Sequence, residues 1–237
     1  MRAFLGGSVA FDNYLLIAYF AYFASEQPLI LFRFSTSPLV HAEIETSYAQ
    51  SHYLLDPFYI AHLQAVPAGV YRLTDLAPDK FRSTAYFNRY YERTTLQDEL
   101  AFFAYPANGW TLNICIGRDE TSGLSFSKAD IRTARDIAPV VTALLETRYA
   151  SASFRERRTK ADPIADRRRS LRSRDAIEIT PRQAEVAMLI LRGHSAKSIG
   201  SGLGISWQTV RVLRRQLYER CGVTSQAELF TKILPLL

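Results

Sequence analysis

The chain has 237 residues, 48% hydrophobic and 22% charged, a globular composition with length enough for two ordinary domains. No run approaches the ~18 apolar residues needed to cross a bilayer. Its two cysteines, Cys115 and Cys221, stand far apart, which argues against a disulfide framework or a zinc cluster and for a reducing, cytoplasmic setting with no metal and no cofactor. Charge is segregated: residues 1–150 hold 12 Lys+Arg against 15 Asp+Glu, residues 151–178 hold 9 against 5, and residues 179–237 hold 8 against 3. Basicity confined to the C-terminal third is the footprint of a polyanion partner, not of a membrane.

The apolar stretch Tyr14 to Phe20 imitates a signal peptide, but Asp12 interrupts its approach and no small-residue cleavage site follows. Its aromatic and aliphatic content reads as a buried strand. Ser25-Glu26-Gln27-Pro28 is a turn, and Leu29 to Phe34 a second strand of a hairpin. A helical pattern runs from Leu39 to about His52, before Asp56-Pro57. Val70 to Thr74 reads as a strand, and Asp79 to Arg93 as one or two short, aromatic-rich helices. Glu99–Tyr105 and Trp110–Ile116 are apolar strands around the turn Pro106-Ala107-Asn108-Gly109. Ser127 caps a long helix with apolar positions Ile131, Ala134, Ile137, Val141, Leu144 and Leu145. The order is α+β, an antiparallel sheet flanked by helices over residues 1–152. Residues 153–178 carry Arg167-Arg168-Arg169 without apolar periodicity and read as a basic linker.

Residues 179–237 read as an all-α four-helix domain. Thr180 caps a helix with Pro181 at its first position and Gln183 closing a capping box; Gly193 ends it. Ser195 caps a short helix stopped by Gly204, Ser206 caps a third that stops at Gly222, and Ser225-x-x-Glu228 opens a fourth. Short helix, tight turn and longer helix make a helix-turn-helix. In the third helix Val210, Leu213, Leu217 and Cys221 fall on one face, the one to be buried. Gln208, Arg211, Val212 and Arg215 fall on another, where two arginines one turn apart beside a glutamine suit base edges in a major groove. Lys197, Thr209, Arg214 and Tyr218 are placed for phosphates, which position a protein without specifying sequence. A merely solvated helix face is the plainer reading of such arginines; a capped, basic helical unit outweighs it.

The run Ile179-Thr180-Pro181-Arg182-Gln183-Ala184-Glu185-Val186, with Gly193 to Ile199, Gly204-Ile205-Ser206, Thr209 to Val212 and Cys221 to Leu229, resembles the DNA-binding domain of LuxR-type regulators. The resemblance implies a homodimer on double-stranded DNA, with Arg211, Val212 and Arg215 at the bases and RNA polymerase as a further partner. Departures are Gln183 for a family glutamate, Ser198 for an acid, Leu213 for a histidine and Cys221 for a leucine.

The segment Ser47-Tyr48-Ala49-Gln50-Ser51-His52-Tyr53-Leu54-Leu55-Asp56-Pro57 resembles the signal-binding domain of acyl-homoserine-lactone receptors, and the layout of residues 1–152 is similar to GAF- and PAS-like sensor domains. The resemblance implies a small organic signal, held by Tyr48 and Asp56 with Tyr53 and Trp110 lining the pocket; Tyr90 and Tyr91 have weaker claims. Ile44 stands where those receptors place a tryptophan, so homoserine lactones are expected to bind poorly. Against the pocket, Asp56 serves only as a helix cap and the aromatics only as core. Two rival readings remain: a ligand-independent regulator whose first domain only dimerises, and a residual enzyme-like first domain. The latter finds no G-x-S-x-G, P-loop, G-x-G-x-x-G or H-E-x-x-H motif.

Overall fold

The computed structural model describes residues 1–20, 27–107, 109–152 and 179–233. The expected basic linker over 153–178 lies outside the described residues, as do Ser25, Glu26 and Asn108 of the two expected turns. Two compact units form. One comprises Met1–Ala77 and the chain from Tyr90 through the long helix; the other comprises Pro78–Arg89 and the C-terminal helices.

The first unit opens with helix α1 (Arg2–Ser8), which the sequence reading did not anticipate. Strands β1 (Asn13–Phe20), β2 (Leu29–Ser35), β3 (Gly69–Arg72), β4 (Leu96–Ala104) and β5 (Trp110–Asp119) form one antiparallel sheet in the order β2-β1-β5-β4-β3. β5 is central and nearly every residue in it is buried, which is why it reads as a continuous apolar run instead of alternating. Register separates the two faces. Leu15, Ile17 and Tyr19 of β1 lie opposite Cys115, Asn113 and Thr111 of β5, which face Ala101 and Phe103 of β4. Tyr14, Leu16, Ile114, Ile116, Leu100 and Phe102 point the other way.

Helix α2 (Pro57–Leu63) covers the first face: the Tyr59 and His62 rings lie against Tyr19, and His62 Nδ1 is 2.9 Å from the Thr111 hydroxyl. Helix α5 (Lys128–Tyr149) packs on β3 and β4, and its last residue, Tyr149, neighbours Tyr14 of the second face. Its N-terminus is the expected capping box, Ser127 with Asp130. Gly117 is required by packing: a Cβ there would come 2.3 Å from the Asn13 side chain, whose amide donates to Asp119 at 2.8 Å.

Two local expectations change. Between Leu39 and His52 the chain forms one π-helical turn (Ile44–Tyr48) and a 3₁₀ turn (His52–Leu55) in place of a continuous helix. Thr46 donates to the Glu43 carbonyl, Ser47 to the Glu43 carboxylate, and His52 Nδ1 sits 2.7 Å from the Ser47 carbonyl; short polar side chains compete there with the regular ladder. The strand expected over Val70–Thr74 ends at Arg72, and Leu73–Leu76 turns into the short helix α3. Arg72 is fixed at that edge by two hydrogen bonds to buried Asp98, of 2.9 and 2.6 Å.

The second unit contains α4 (Ala85–Arg89), α6 (Pro181–Arg192), α7 (Ala196–Leu203), α8 (Trp207–Cys221) and α9 (Gln226–Ile233). Every cap read from the sequence forms: Thr180, Ser195 and Ser206 accept from the N3 backbone amides, while Gly193, Gly204 and Gly222 take left-handed conformations. The fourth helix shows a variation, for Ser225 accepts from Glu228 N while the Glu228 carboxylate reaches Thr224 N. Val186, Ile190, Leu191, Ile199, Val210, Leu217, Cys221, Leu229 and Ile233 make the core. Arg182 donates to the Leu203 carbonyl at 2.8 Å and Gln226 to the Ile190 carbonyl at 2.7 Å, so polar contacts lock the helix ends together.

Residues 78–89, which the sequence reading assigns to the first domain, pack within this unit. Lys80 N donates to the Gly193 carbonyl at 2.7 Å, Asp79 accepts from Ser195 N at 3.0 Å, and Arg89 donates to Thr231 at 2.6 Å.

Candidate functional site

Each unit presents one candidate site. In the second unit α8 divides as its periodicity requires. Val210, Leu217 and Cys221 are buried, Leu213 is half-buried, and Gln208, Arg211, Val212 and Arg215 are exposed. Arg211 lies 5.7 Å from the centre of the Trp207 ring. That tryptophan, at the first position of α8 and 46% exposed, was missed by the sequence reading; its signal is a large aromatic immediately after an N-cap, where burial was not needed. Arg215 Nε approaches Glu219 at 3.9 Å with both side chains exposed, a pair too weak to hold the guanidinium back.

Of the expected phosphate contacts, Lys197, Thr209 and Arg214 are exposed. Arg214 lies 4.9 Å from the Tyr218 ring centre, and the Thr209 hydroxyl is 2.9 Å from that of Ser206. Tyr218 departs from expectation: its hydroxyl is buried, with no hydrogen-bond partner among the described residues, so it does not point at a polyanion.

In the first unit the structure brings Tyr48 and Asp56 together. The Tyr48 hydroxyl donates to Asp56 Oδ2 at 2.7 Å, and the Tyr19 hydroxyl lies 3.3 Å from that of Tyr48. Asp56 Oδ1 accepts from Phe58 N at 2.8 Å, so the residue is a helix cap as well. Both roles coexist because a carboxylate offers about four acceptor positions. Burial pushes its carboxyl up to about 6, against the pull of the Tyr48 and backbone hydrogen bonds.

Tyr53 is buried edge-on to Tyr59, their ring centres 4.8 Å apart, while Tyr90 stacks on Tyr48 at 5.6 Å and on His52 at 5.3 Å. Ile44 is buried. Trp110 is not part of this group. Its register with Phe20, whose ring centre is 3.6 Å away, puts it on the opposite face of the sheet. The cause is strand phase, since Thr111 rather than Trp110 shares a face with Tyr19.

Polar residues on this face escaped the sequence reading, Glu99 chief among them. Glu99 begins the stretch taken as an apolar strand, yet it is in phase with Ala101 and Phe103. It stands near Tyr91, and burial together with the nearby Asp56 carboxylate pushes its carboxyl up to about 8. The same environment pushes the Cys115 thiol well up: burial first, then Glu99 and Asp56. Period-2 phasing back from Phe103 could have revealed it.

A short capped helix, a tight Gly204 turn and a second helix with an exposed basic face define a helix-turn-helix protein. Residues 178–233 match the family of bacterial regulatory proteins, luxR family, and the C-terminal unit is accordingly a luxR-family helix-turn-helix domain. The chain is similar to an HTH-type transcriptional regulator from the exeN 3′ region of Aeromonas salmonicida, 29% identical over 185 residues that cover 76% of this chain and 93% of that protein. The VqsR LBD domain of Pseudomonas aeruginosa shares 25% identity, with a TM-score of 0.51 over 63% of this chain and 84% of that chain. Escherichia coli SdiA aligns over 96% of this chain and 85% of its own, at 12% identity and a TM-score of 0.40. No helix among the described residues is long and apolar enough to cross a membrane.

Proposed function

We propose that the chain is a dimeric, sequence-specific transcription regulator whose first unit senses a small organic molecule. The observation that carries the DNA half is the α8 face on which Gln208, Arg211, Val212 and Arg215 stand exposed while Val210, Leu217 and Cys221 anchor the helix behind them. Such a face fits a major groove and supplies guanine- and adenine-reading side chains. One module reaches only a few base pairs, so two copies are needed for useful specificity, with half-sites about one helical turn apart. Val140 and Leu144, one turn apart and about half exposed on α5, offer an apolar strip for that pairing.

The DNA half is tested by binding titrations. Arg211→Ala costs about 1–3 kcal/mol on the cognate site and relaxes its preference, whereas Lys197→Ala weakens all sequences alike and flattens the salt dependence. Unchanged affinity and preference in Arg211→Ala would mean that α8 does not read the bases.

Sensing is supported by the buried Tyr48–Asp56 bond: a carboxylate with spare acceptor capacity inside an aromatic shell is an anchor for an amphipathic ligand. Thermal-shift screening of small organic molecules tests it. A genuine hit raises the melting temperature with concentration and loses its effect in Asp56→Asn, which keeps a capping side chain. Hits that stabilise both proteins equally leave Asp56 as a cap only.

A further inference from the structure

The start of α8 carries a side chain that the fold does not use. Ser206 caps the helix by accepting from Thr209 N at 3.0 Å, and Val210, Leu217 and Cys221 anchor it in the core. Trp207, its first residue, belongs to neither set and is 46% exposed. Helix propensity does not call for it either, since aromatic residues are among the weaker helix formers. The backbone beneath it is nevertheless fixed. A Cβ at buried Gly200 of α7 would come 2.8 Å from the Ile205 carbonyl oxygen and 3.2 Å from the Trp207 amide nitrogen. A glycine there lets the turn set the first residue of α8 directly against α7.

Trp207, Arg211 and Arg215 follow one another at spacings of four, a stripe along one side of the helix, and all three are exposed. The Arg211 guanidinium lies 5.7 Å from the centre of the indole ring, within reach of a cation–π contact. A single exposed apolar side chain is ordinary on a protein surface. This one shares its stripe with the two arginines assigned to the bases, at the helix end that in helix-turn-helix proteins meets base edges. Four residues of helix rise about 6 Å, and base pairs stack about 3.4 Å apart. Trp207 therefore reaches a base one or two pairs from the one taken by Arg211.

We propose that Trp207 is a specificity-determining residue that reads a thymine, its indole set against the C5-methyl group in the major groove beside the guanine taken by Arg211. This rests on the reading that α8 lies in that groove. An indole offers an apolar surface and one N–H donor, with no acceptor. Adenine and cytosine present amino donors in the major groove, which an indole cannot accept, and guanine presents acceptors without an apolar group. Thymine alone presents a methyl group beside an acceptor, O4. Charge favours the same partner. Residues 179–237 hold 8 Lys+Arg against 3 Asp+Glu, and Lys197, Arg211, Arg214 and Arg215 are exposed, surroundings that suit a polyanion better than an apolar protein surface.

Full-length protein first selects its preferred duplex from a random pool, and titrations at one fixed salt concentration follow. Wild type is expected to enrich a thymine one or two pairs from the guanine whose preference is lost in Arg211→Ala. Replacing that thymine by deoxyuridine in one half-site removes only the methyl group. The replacement is expected to weaken wild type about three- to fivefold and to leave Trp207→Ala unaffected. Because the change is made in the DNA, the wild-type result does not depend on how the variant folds. Equal affinity of wild type for the thymine and deoxyuridine sites would overturn the proposal. So would a Trp207→Ala protein that weakens on all sequences alike, the mark of a backbone contact, or one that binds unchanged, the mark of a surface for another protein. If Arg211→Ala also keeps its preference, α8 does not read the bases and both readings fall. If Arg211→Ala loses its guanine while Trp207→Ala loses nothing, only the thymine assignment fails.

Discussion

The exposed face of α8 and the buried face of the sheet place function in opposite surroundings. On α8 the candidate residues project into water from a helix held by Val210, Leu217 and Cys221, so each side chain there can change with little cost to the fold. On the sheet side, Asp56 and Asn113 are buried and Glu99 is only partly exposed, and their polar groups bear on stability as directly as on recognition. Binding and folding should therefore be separable in the second unit and entangled in the first.

The largest expected effect tests the entangled side. Glu99 has its carboxyl raised by burial and by Asp56, with Asp98, Tyr91 and Cys115 also near it. A raised carboxyl stabilises the fold most below its unfolded value, and that contribution is lost as pH rises through about 8. Wild type should lose on the order of 3 kcal/mol of stability between pH 5 and pH 8 from this group, and Glu99→Gln should remove that part of the slope. Urea melts at the two pH values measure it. Parallel pH dependence in the two proteins would mean that Glu99 is solvated, and the contrast with α8 would weaken.

A comparable effect is expected where the second unit is tightly packed away from its reading face. Gly193 ends α6 at φ 97° and ψ 25°, and a Cβ there would come 2.8 Å from the Phe81 backbone and 2.7 Å from Thr84. Gly193→Ala should cost about 2–4 kcal/mol, from left-handed strain plus overpacking, read as a lower denaturation midpoint. Substitution without loss would show that residues 78–89 are not held against the α6–α7 corner.

The smallest effect has the opposite sign. Gly202 lies inside α7, exposed, with nothing within 4 Å of a built Cβ. Gly202→Ala should stabilise the unit by about 0.5–1 kcal/mol and leave DNA affinity unchanged. A change in affinity would place this surface against the polyanion and enlarge the interface beyond α8.

The helices of the second unit were legible because their signals are local. A capping hydroxyl and the amide it binds lie three residues apart, and a left-handed glycine announces a helix end wherever the helix sits. Tyr48 and Asp56 were legible for a similar reason, being eight residues apart on consecutive turns. Trp110 was misplaced and Glu99 missed because strand phase depends on partners distant in the chain. Trp110 pairs with Phe20 and Glu99 with Gly117, and a shift of one residue moves a side chain to the other face.

By itself the sequence determined the division of charge, the four capped C-terminal helices with their exposed arginine face, and the aspartate before Pro57. Each of these follows from residue type and spacing within a few turns of chain. Tertiary structure decided which carboxylates share a buried face, that the Tyr218 hydroxyl turns inward, and that residues 78–89 pack with the helix-turn-helix instead of the sheet. Those outcomes depend on register and burial, which arise only when distant segments meet and exclude water together.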